Sequence, residues 1–250
     1  MVLEENIGTV RLITLNHHNT HNAFNEALET AVRRALAAAS QDDAVNAVVV
    51  YGGDNRSFSA GGDFNEVKNL NSDAAVEQWI DRVIALYQAV LNVDKPTVAA
   101  MDGYAIGMGF QFAMMFDRRV MAREACLAMP ELKHGIGCSV GAAILRFTHG
   151  FSAMRDIIYQ CDELDAQRCL DLRLVNQITD RKDLVSSALA QASQLAGYPV
   201  SAFSSTKRAV NAPFIMALNH SRDESKAVHK KAFAARDAQR HFKKVLGENY

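Results

Sequence analysis

Net charge is what this chain has least of. Its 27 lysines and arginines against 28 aspartates and glutamates leave a formal charge of −1, and the isoelectric point lies near 6.7. Such a balance gives no electrostatic reason to expect nucleic acid or an anionic membrane as partner. No apolar run approaches the roughly eighteen residues that a transmembrane helix needs. The first residues, Met1-Val2-Leu3-Glu4-Glu5, lack a basic segment followed by an apolar one, so no secretion signal is expected. Cysteine is sparse, and Cys126, Cys138, Cys161 and Cys169 form neither a C-x-x-C pair nor a zinc spacing. Free thiols, buried or semi-buried, and a reducing, cytoplasmic location are the expectation. His17, His18, His21, His134, His149, His220 and His241 have no metal-ligand spacing either, and no sequence repeat declares itself.

What is present suits one large domain, or a domain with an extension: 250 residues, 49% hydrophobic and 22% charged. Residues Thr9 to Leu15 alternate as a strand does, and Ala23 to Ser40 read as an amphipathic helix. Val45 to Tyr51 is a buried strand. Asn71-Ser72-Asp73 caps a helix over Ala74 to Asn92, and Lys95-Pro96 punctuates before a strand over Thr97 to Met101. An apolar helix spans Met108 to Phe116. Short strands are expected over Arg118–Ala122, Ala125–Met129 and Leu174–Ile178. Beyond a break at Gly197-Tyr198-Pro199, two helical stretches are expected, Ser201 to Asn211 and Phe214 to about Leu246. Strand and helix alternating over the first 130 residues predict an α/β fold with right-handed crossovers.

Two glycine loops carry the functional signal. Phe58-Ser59-Ala60-Gly61-Gly62-Asp63 and Asp102-Gly103-Tyr104-Ala105-Ile106-Gly107-Met108-Gly109 each follow an apolar strand and precede a helix. Glycine admits positive φ and close approach of a ligand, and helix N-termini leave amides unpaired. Two such loops converging on one point would offer two N–H donors to a developing oxyanion.

These loops resemble those of the crotonase (enoyl-CoA hydratase/isomerase) superfamily, as does Met129-Pro130-Glu131 leading to Gly135-Ile136-Gly137. The likeness runs from about Val10 to about Lys207. It implies a spiral of β-β-α units over residues 1–197 and a C-terminal helical region over 198–250 that packs at the interface of a homotrimer. It also implies that the backbone amides of Gly62 and Met108 hold the enolate of an acyl-CoA thioester, with CoA as part of the substrate and no separate cofactor or metal. The Met108 side chain would shape the acyl pocket. Lys207 and the bases of the last helix (Lys226, Lys230, Lys231, Arg236, Arg240, Lys243 and Lys244) are candidates to meet CoA phosphates, although such a run also suits a solvated face.

Hydratases of the superfamily pair two glutamates as acid and base. This chain keeps Glu131 but has Gln111 where the other belongs, and an uncharged amide abstracts no proton. Hydration of an enoyl-CoA is therefore not the expected reaction. Decarboxylation of malonyl-CoA gives the enolate with no base at all. The set Trp79, Met108, Gln111, Glu131 and His229 looks like the carbapenem-pathway branch of the superfamily. That branch joins malonyl-CoA to pyrroline-5-carboxylate and then hydrolyses the thioester. On that resemblance Glu131 pairs with the imine N–H⁺ or activates water. Trp79, the only tryptophan, walls the pyrroline, and His229 meets its carboxylate.

Two alternatives stay open. A plain acyl-CoA decarboxylase or enoyl-CoA isomerase would use the same enolate without forming a C–C bond. A non-catalytic RNA binder of this fold would need a basic stripe, and the Ala23–Ser40 helix has Arg33 and Arg34 balanced by Glu26 and Glu29.

Overall fold

In the computed structural model, which describes residues 1–17, 19, 21–234 and 237–247, the chain begins with an antiparallel pair. Strand β1 (Val2–Ile7) folds back on β2 (Val10–Leu15) with Val2 opposite Leu15. The periodicity of Val2–Ile7 did not announce β1, because most of its side chains face solvent. Helix α1 (Glu26–Gln41) starts at Glu26 rather than Ala23, because Asn25 caps it by accepting from the Leu28 amide. Phe24 stays extended instead: its N–H donates to Gly61 O (2.6 Å) and its C=O accepts from Asp63 N (2.9 Å).

Strand β3 (Ala47–Tyr51), wholly buried, leads into the first glycine loop and the short α2 (Phe64–Val67), which Asp63 caps. Ser72 caps α3 (Asp73–Leu91). Next come β4 (Thr97–Met101), β5 (Tyr104–Ile106) and α4 (Met108–Ala113). They are followed by β6 (Arg118–Ala122), β7 (Cys126–Ala128) and a 3-10 turn over Glu131–His134. Then α5 (Ser139–Gln160), bent at Gly150, leads to β8 (Leu164–Asp165), α6 (Ala166–Asp171), β9 (Gln177–Thr179) and α7 (Leu184–Ala196). Helices α8 (Val200–Ala234) and α9 (Asp237–Val245) close the described chain.

The order of the strands reveals a spiral. The large sheet runs β1-β2-β3-β4-β6-β9, parallel after its first pair. A second layer runs through Phe24, Ser59–Gly62, β5, β7 and β8, joined by the Phe24–Gly62 and Ser59–Ala105 bridges. Each turn thus gives one strand to the large sheet, one short extended piece to the second layer, and then a helix or 3-10 turn. This is the α/β spiral of β-β-α units, with a helical C-terminal region, that the resemblance implied. The central strands are apolar throughout (Val48, Val49, Val50, Val98 and Ala99 are all fully buried), as a parallel sheet covered on both faces requires.

The C-terminal region departs from expectation in one respect. Instead of breaking near Pro213, α8 runs through it. A proline inside a helix forfeits a backbone hydrogen bond and costs about 3 kcal/mol. Packing offsets that here: Asn211 Nδ2 donates to Leu91 O (2.9 Å), Gln88 Nε2 donates to Asn219 Oδ1 (2.8 Å), and Phe214 and Leu218 are buried. Ala235 and Arg236 lie outside the described residues, as do residues 248–250. The expected strand at Leu174–Ile178 shifts to Gln177–Thr179, because Leu174 and Val175 turn into the core. No helix among the described residues is long and apolar enough to cross a membrane.

Glycine at 109 is a packing requirement rather than a flexibility one. A Cβ there would drive into Ser59 O and stand 2.8 Å from Ser59 Cβ. Gly109→Ala is therefore expected to lower stability by about 1–3 kcal/mol, measured by urea unfolding.

Candidate active site

The two glycine loops are laced together by main-chain bonds. Phe58 N donates to Asp102 O (2.9 Å), Ser59 N to Tyr104 O (3.0 Å), and Ile106 N back to Ser59 O (3.0 Å). The Ser59 hydroxyl donates to Asn22 O (2.8 Å) and accepts from Gly61 N (3.2 Å). Asn22 in turn donates to Gly52 O and Ser57 O, so the first loop is gripped from both sides. Gly107, at φ 52° and ψ −115°, starts α4, and its own N–H donates to Ala128 O (2.8 Å). This bond ties the second loop to β7, just ahead of Pro130-Glu131.

Among the described residues, neither Gly62 N nor Met108 N has an acceptor within the chain. A methyl on Gly61 would stand 3.7 Å from Met108 N, and one on Gly62 would stand 3.2 Å from Met108 Sδ. The two free amides thus border the same cavity, which is also lined by Trp79, Gln111, Glu131 and His229. All six residues singled out in the sequence meet in one place.

The floor of the cavity is a hydrogen-bonded series. Tyr87 OH donates to Gln111 Oε1 (3.0 Å), and Gln111 Nε2 donates to Glu131 Oε1 (2.8 Å). Glu131 Oε2 is buried and has no hydrogen-bond partner among the described residues. Burial pushes the Glu131 carboxyl above its ordinary value, only partly offset by its own backbone amide, Gln111 and the Cys138 thiol. Burial, followed by the nearby Glu131 carboxylate, holds the Cys138 thiol well above its usual range, so it stays protonated.

Trp79 and His229 also line the cavity, with ring centroids 5.5 Å apart in an edge-on arrangement, and Phe233 packs edge-on to Trp79 at 6.1 Å. His229 Nδ1 contacts Ser225 O (2.8 Å) and Ser225 Oγ (3.1 Å). A carbonyl only accepts, so Nδ1 carries the proton and Nε2 keeps its lone pair. Burial lowers the His229 pKa and favours this neutral form.

Three cavity or supporting residues had no signal in the sequence. Tyr87 lies on the same face of α3 as Val83 and Ile84 and reads as core. Cys138 looked like any buried thiol. His134 was set aside for lack of metal spacing, yet it lines the cavity and contacts His241 of α9. Burial, the His241 ring and Lys133 bring the His134 pKa down to about 4.

The basic candidates divide. Lys207 is enclosed by Asp117 Oδ2 (2.7 Å), Lys95 O (2.9 Å) and Thr97 Oγ1 (3.3 Å), so it braces the sheet and cannot reach a phosphate. Lys226 pairs with Asp81 (2.8 Å) and Lys230 with Glu77, joining α8 to α3. Lys231, Lys243 and Lys244 are exposed.

The enoyl-CoA hydratase/isomerase family pattern matches residues 5–246. The chain is similar to the carboxymethylproline synthase of Pectobacterium carotovorum subsp. carotovorum, with 67% identity over 250 residues and all of both chains covered. It is 31% identical to the mitochondrial enoyl-CoA hydratase of Pongo abelii, over 92% of this chain and 78% of that one. A solved enoyl-CoA hydratase/isomerase from Mycobacterium paratuberculosis superposes with a TM-score of 0.87 at 28% identity, covering 97% of each chain.

The His229 geometry has a direct spectroscopic consequence. With the folded-state pKa lowered by burial, the ring should be less protonated at about pH 6.5 than a free histidine, which is half charged there. Its ¹⁵N shifts should report a protonated Nδ1 and a bare Nε2. A ring that titrates at the ordinary value would contradict the arrangement.

Proposed function

Because the chain belongs to the enoyl-CoA hydratase/isomerase family, we propose that it forms carboxymethylproline from malonyl-CoA and pyrroline-5-carboxylate, a step of carbapenem antibiotic biosynthesis. The observation that carries this reading is the 67% identity, end to end, with the carboxymethylproline synthase of Pectobacterium. The cavity chemistry supports it.

The thioester oxygen of malonyl-CoA lies between the Gly62 and Met108 amides. When CO2 leaves, the electron pair of the breaking C–C bond passes into the enolate, and the two amides stabilise the charge on oxygen. No base is consumed, which suits a cavity where Gln111 stands in place of a second carboxylate. The enolate carbon then attacks the iminium carbon of the pyrroline, and the C=N electron pair passes to nitrogen. Glu131 pairs with the iminium N–H⁺ and afterwards activates the water that releases CoA. The same two amides serve the tetrahedral intermediate of that hydrolysis. One water is consumed and nothing is oxidised or reduced, so the sequence of steps balances without a redox cofactor.

Trp79 walls the ring, and Met108 narrows the acyl pocket. His229 is neutral with a bare Nε2, so its contact with the pyrroline carboxylate comes with proton uptake by the ring. A homotrimer is supported by apolar side chains exposed on α5 and α8, among them Phe147, Phe151, Val210 and Met216. A cytoplasmic location rests on the four free thiols, three of them buried.

Malonyl-CoA incubated with pyrroline-5-carboxylate should yield CO2, free CoA and carboxymethylproline, identified by mass spectrometry of the quenched mixture. Acetyl-CoA as the sole product, with or without the pyrroline, would make the enzyme a simple decarboxylase. In the same assay, Glu131→Ala should keep measurable decarboxylation while carboxymethylproline falls about 10²–10⁴-fold, the usual loss for a positioned acid or base. Full synthesis by a folded alanine variant would remove Glu131 from the mechanism.

A further inference from the structure

The series beneath the cavity contains one group the reaction itself does not use. Tyr87 lies on α3, fully buried, and among the described residues its hydroxyl has a single hydrogen-bond partner, Gln111 Oε1 at 3.0 Å. Gln111 in turn reaches Glu131 Oε1 through Nε2 at 2.8 Å.

An amide side chain has two orientations of almost equal shape, and the surroundings decide between them. With Nε2 toward Glu131, both bonds are satisfied: Tyr87 O–H donates to Oε1, and Nε2 donates to the carboxylate. With the amide turned over, Nε2 would donate to the Tyr87 oxygen. The phenol proton, buried with no other acceptor, would then be orphaned, which is the costly case for a buried donor. Gln111 Oε1 would also face the Glu131 carboxylate, oxygen against oxygen, which only a protonated Glu131 tolerates. An ionised Glu131 selects the same orientation, so the phenol is the group that keeps it preferred when Glu131 is protonated.

We propose that Tyr87 is a positioning residue, which orients the Gln111 amide so that Nε2 engages Glu131 Oε1 and Glu131 Oε2 is left as the oxygen offered to substrate. The proposal deepens the functional reading above and rests on Glu131 being the working carboxylate. Other titratable groups lie around this series. Cys138 sits beside Glu131, Glu29 bears on Tyr87 from α1, and His134 and His229 line the same cavity. None of them bonds to the Gln111 amide.

The test reads the carboxyl directly, independently of turnover. The ¹³C carboxyl resonance of Glu131, assigned by its loss in Glu131→Gln, is followed through pH in the wild type and in Tyr87→Phe. Freed of the phenol, the amide no longer favours the ionised form, and the titration midpoint should move upward by about one pH unit. In a Gln111→Leu background, Tyr87→Phe should move it no further, since the path of influence is gone. An unchanged midpoint, or the same shift in both backgrounds, would overturn the proposal, because a merely structural role has no reason to depend on Gln111.

Should Tyr87→Phe fail to fold, 3-fluorotyrosine at position 87 keeps the ring and hydroxyl while making the phenol a stronger donor. The midpoint should then fall, and no movement would count against the proposal. The product assay stands apart: failure to make carboxymethylproline would sink the functional reading and leave the carboxyl titration to judge Tyr87 by itself.

Discussion

Everything at this site depends on two loops held at backbone contact distance. Gly109 can pack on Ser59 only because it lacks a Cβ, and the reciprocal bonds between Ser59 and the strand Tyr104–Ile106 fix the separation. Two amides left unpaired in a protein interior are normally a cost. Here Gly62 and Met108 bear that cost, at a cavity where an incoming oxygen would satisfy both. Preorganised donors need no rearrangement when charge develops, which is where such sites draw their effect. The spiral supplies the framework, since each turn delivers one short extended segment to the second layer beside the last.

The first loop is also held from behind. Arg82 of α3 reaches Glu29 (3.0 Å) and Glu26 (3.3 Å) of α1 and Glu66 of α2, and Glu66 also accepts from Glu26 N (2.9 Å). Glu29 is fully buried, and burial raises its pKa against the pull of Arg82. A buried pair of this kind adds little net stability, but losing one partner typically costs about 3–5 kcal/mol. The network therefore acts less as glue than as a constraint on where α2, and with it the Gly62 loop, sits relative to α1 and α3.

Much of this was legible in the sequence, for definable reasons. The continuous apolar run of β3, the Ser72 cap of α3 and the glycine loops are local signals, and local physics dictates them. The six cavity residues were found through motif positions rather than periodicity: Trp79 and Met108 look like core on any hydrophobic pattern, and Gln111 like a passive helix residue. What failed to show was long-range. Pro213 reads as a helix breaker until Asn211 and Asn219 are seen tied to α3. Lys207 reads as a surface base until Asp117 and Thr97 are folded around it. Tyr87 and Gln111 are 24 residues apart, and nothing in either segment marks the contact. Partners chosen by the tertiary fold carry no signature in the local chain.

The choice of glutamine at 111 can be argued from electrostatics alone. Position 111 places a polar atom 2.8 Å from Glu131, whose other oxygen is buried. A second carboxylate there could not ionise together with Glu131, so the pair would share a proton, which is what acid–base hydration wants. A glutamine breaks that sharing. It donates to Glu131 without adding charge, so the ionised form of a carboxyl already disfavoured by burial is supported rather than opposed. It also leaves the cavity with one negative charge instead of two when a substrate bearing its own carboxylate enters. In the reaction proposed here carbon dioxide would depart from that substrate carboxylate, and the negative charge would move to the thioester oxygen at the two amides, away from Glu131. The substitution therefore suits a site that receives one anion, relocates its charge, and then needs a single carboxylate to face a cationic imine.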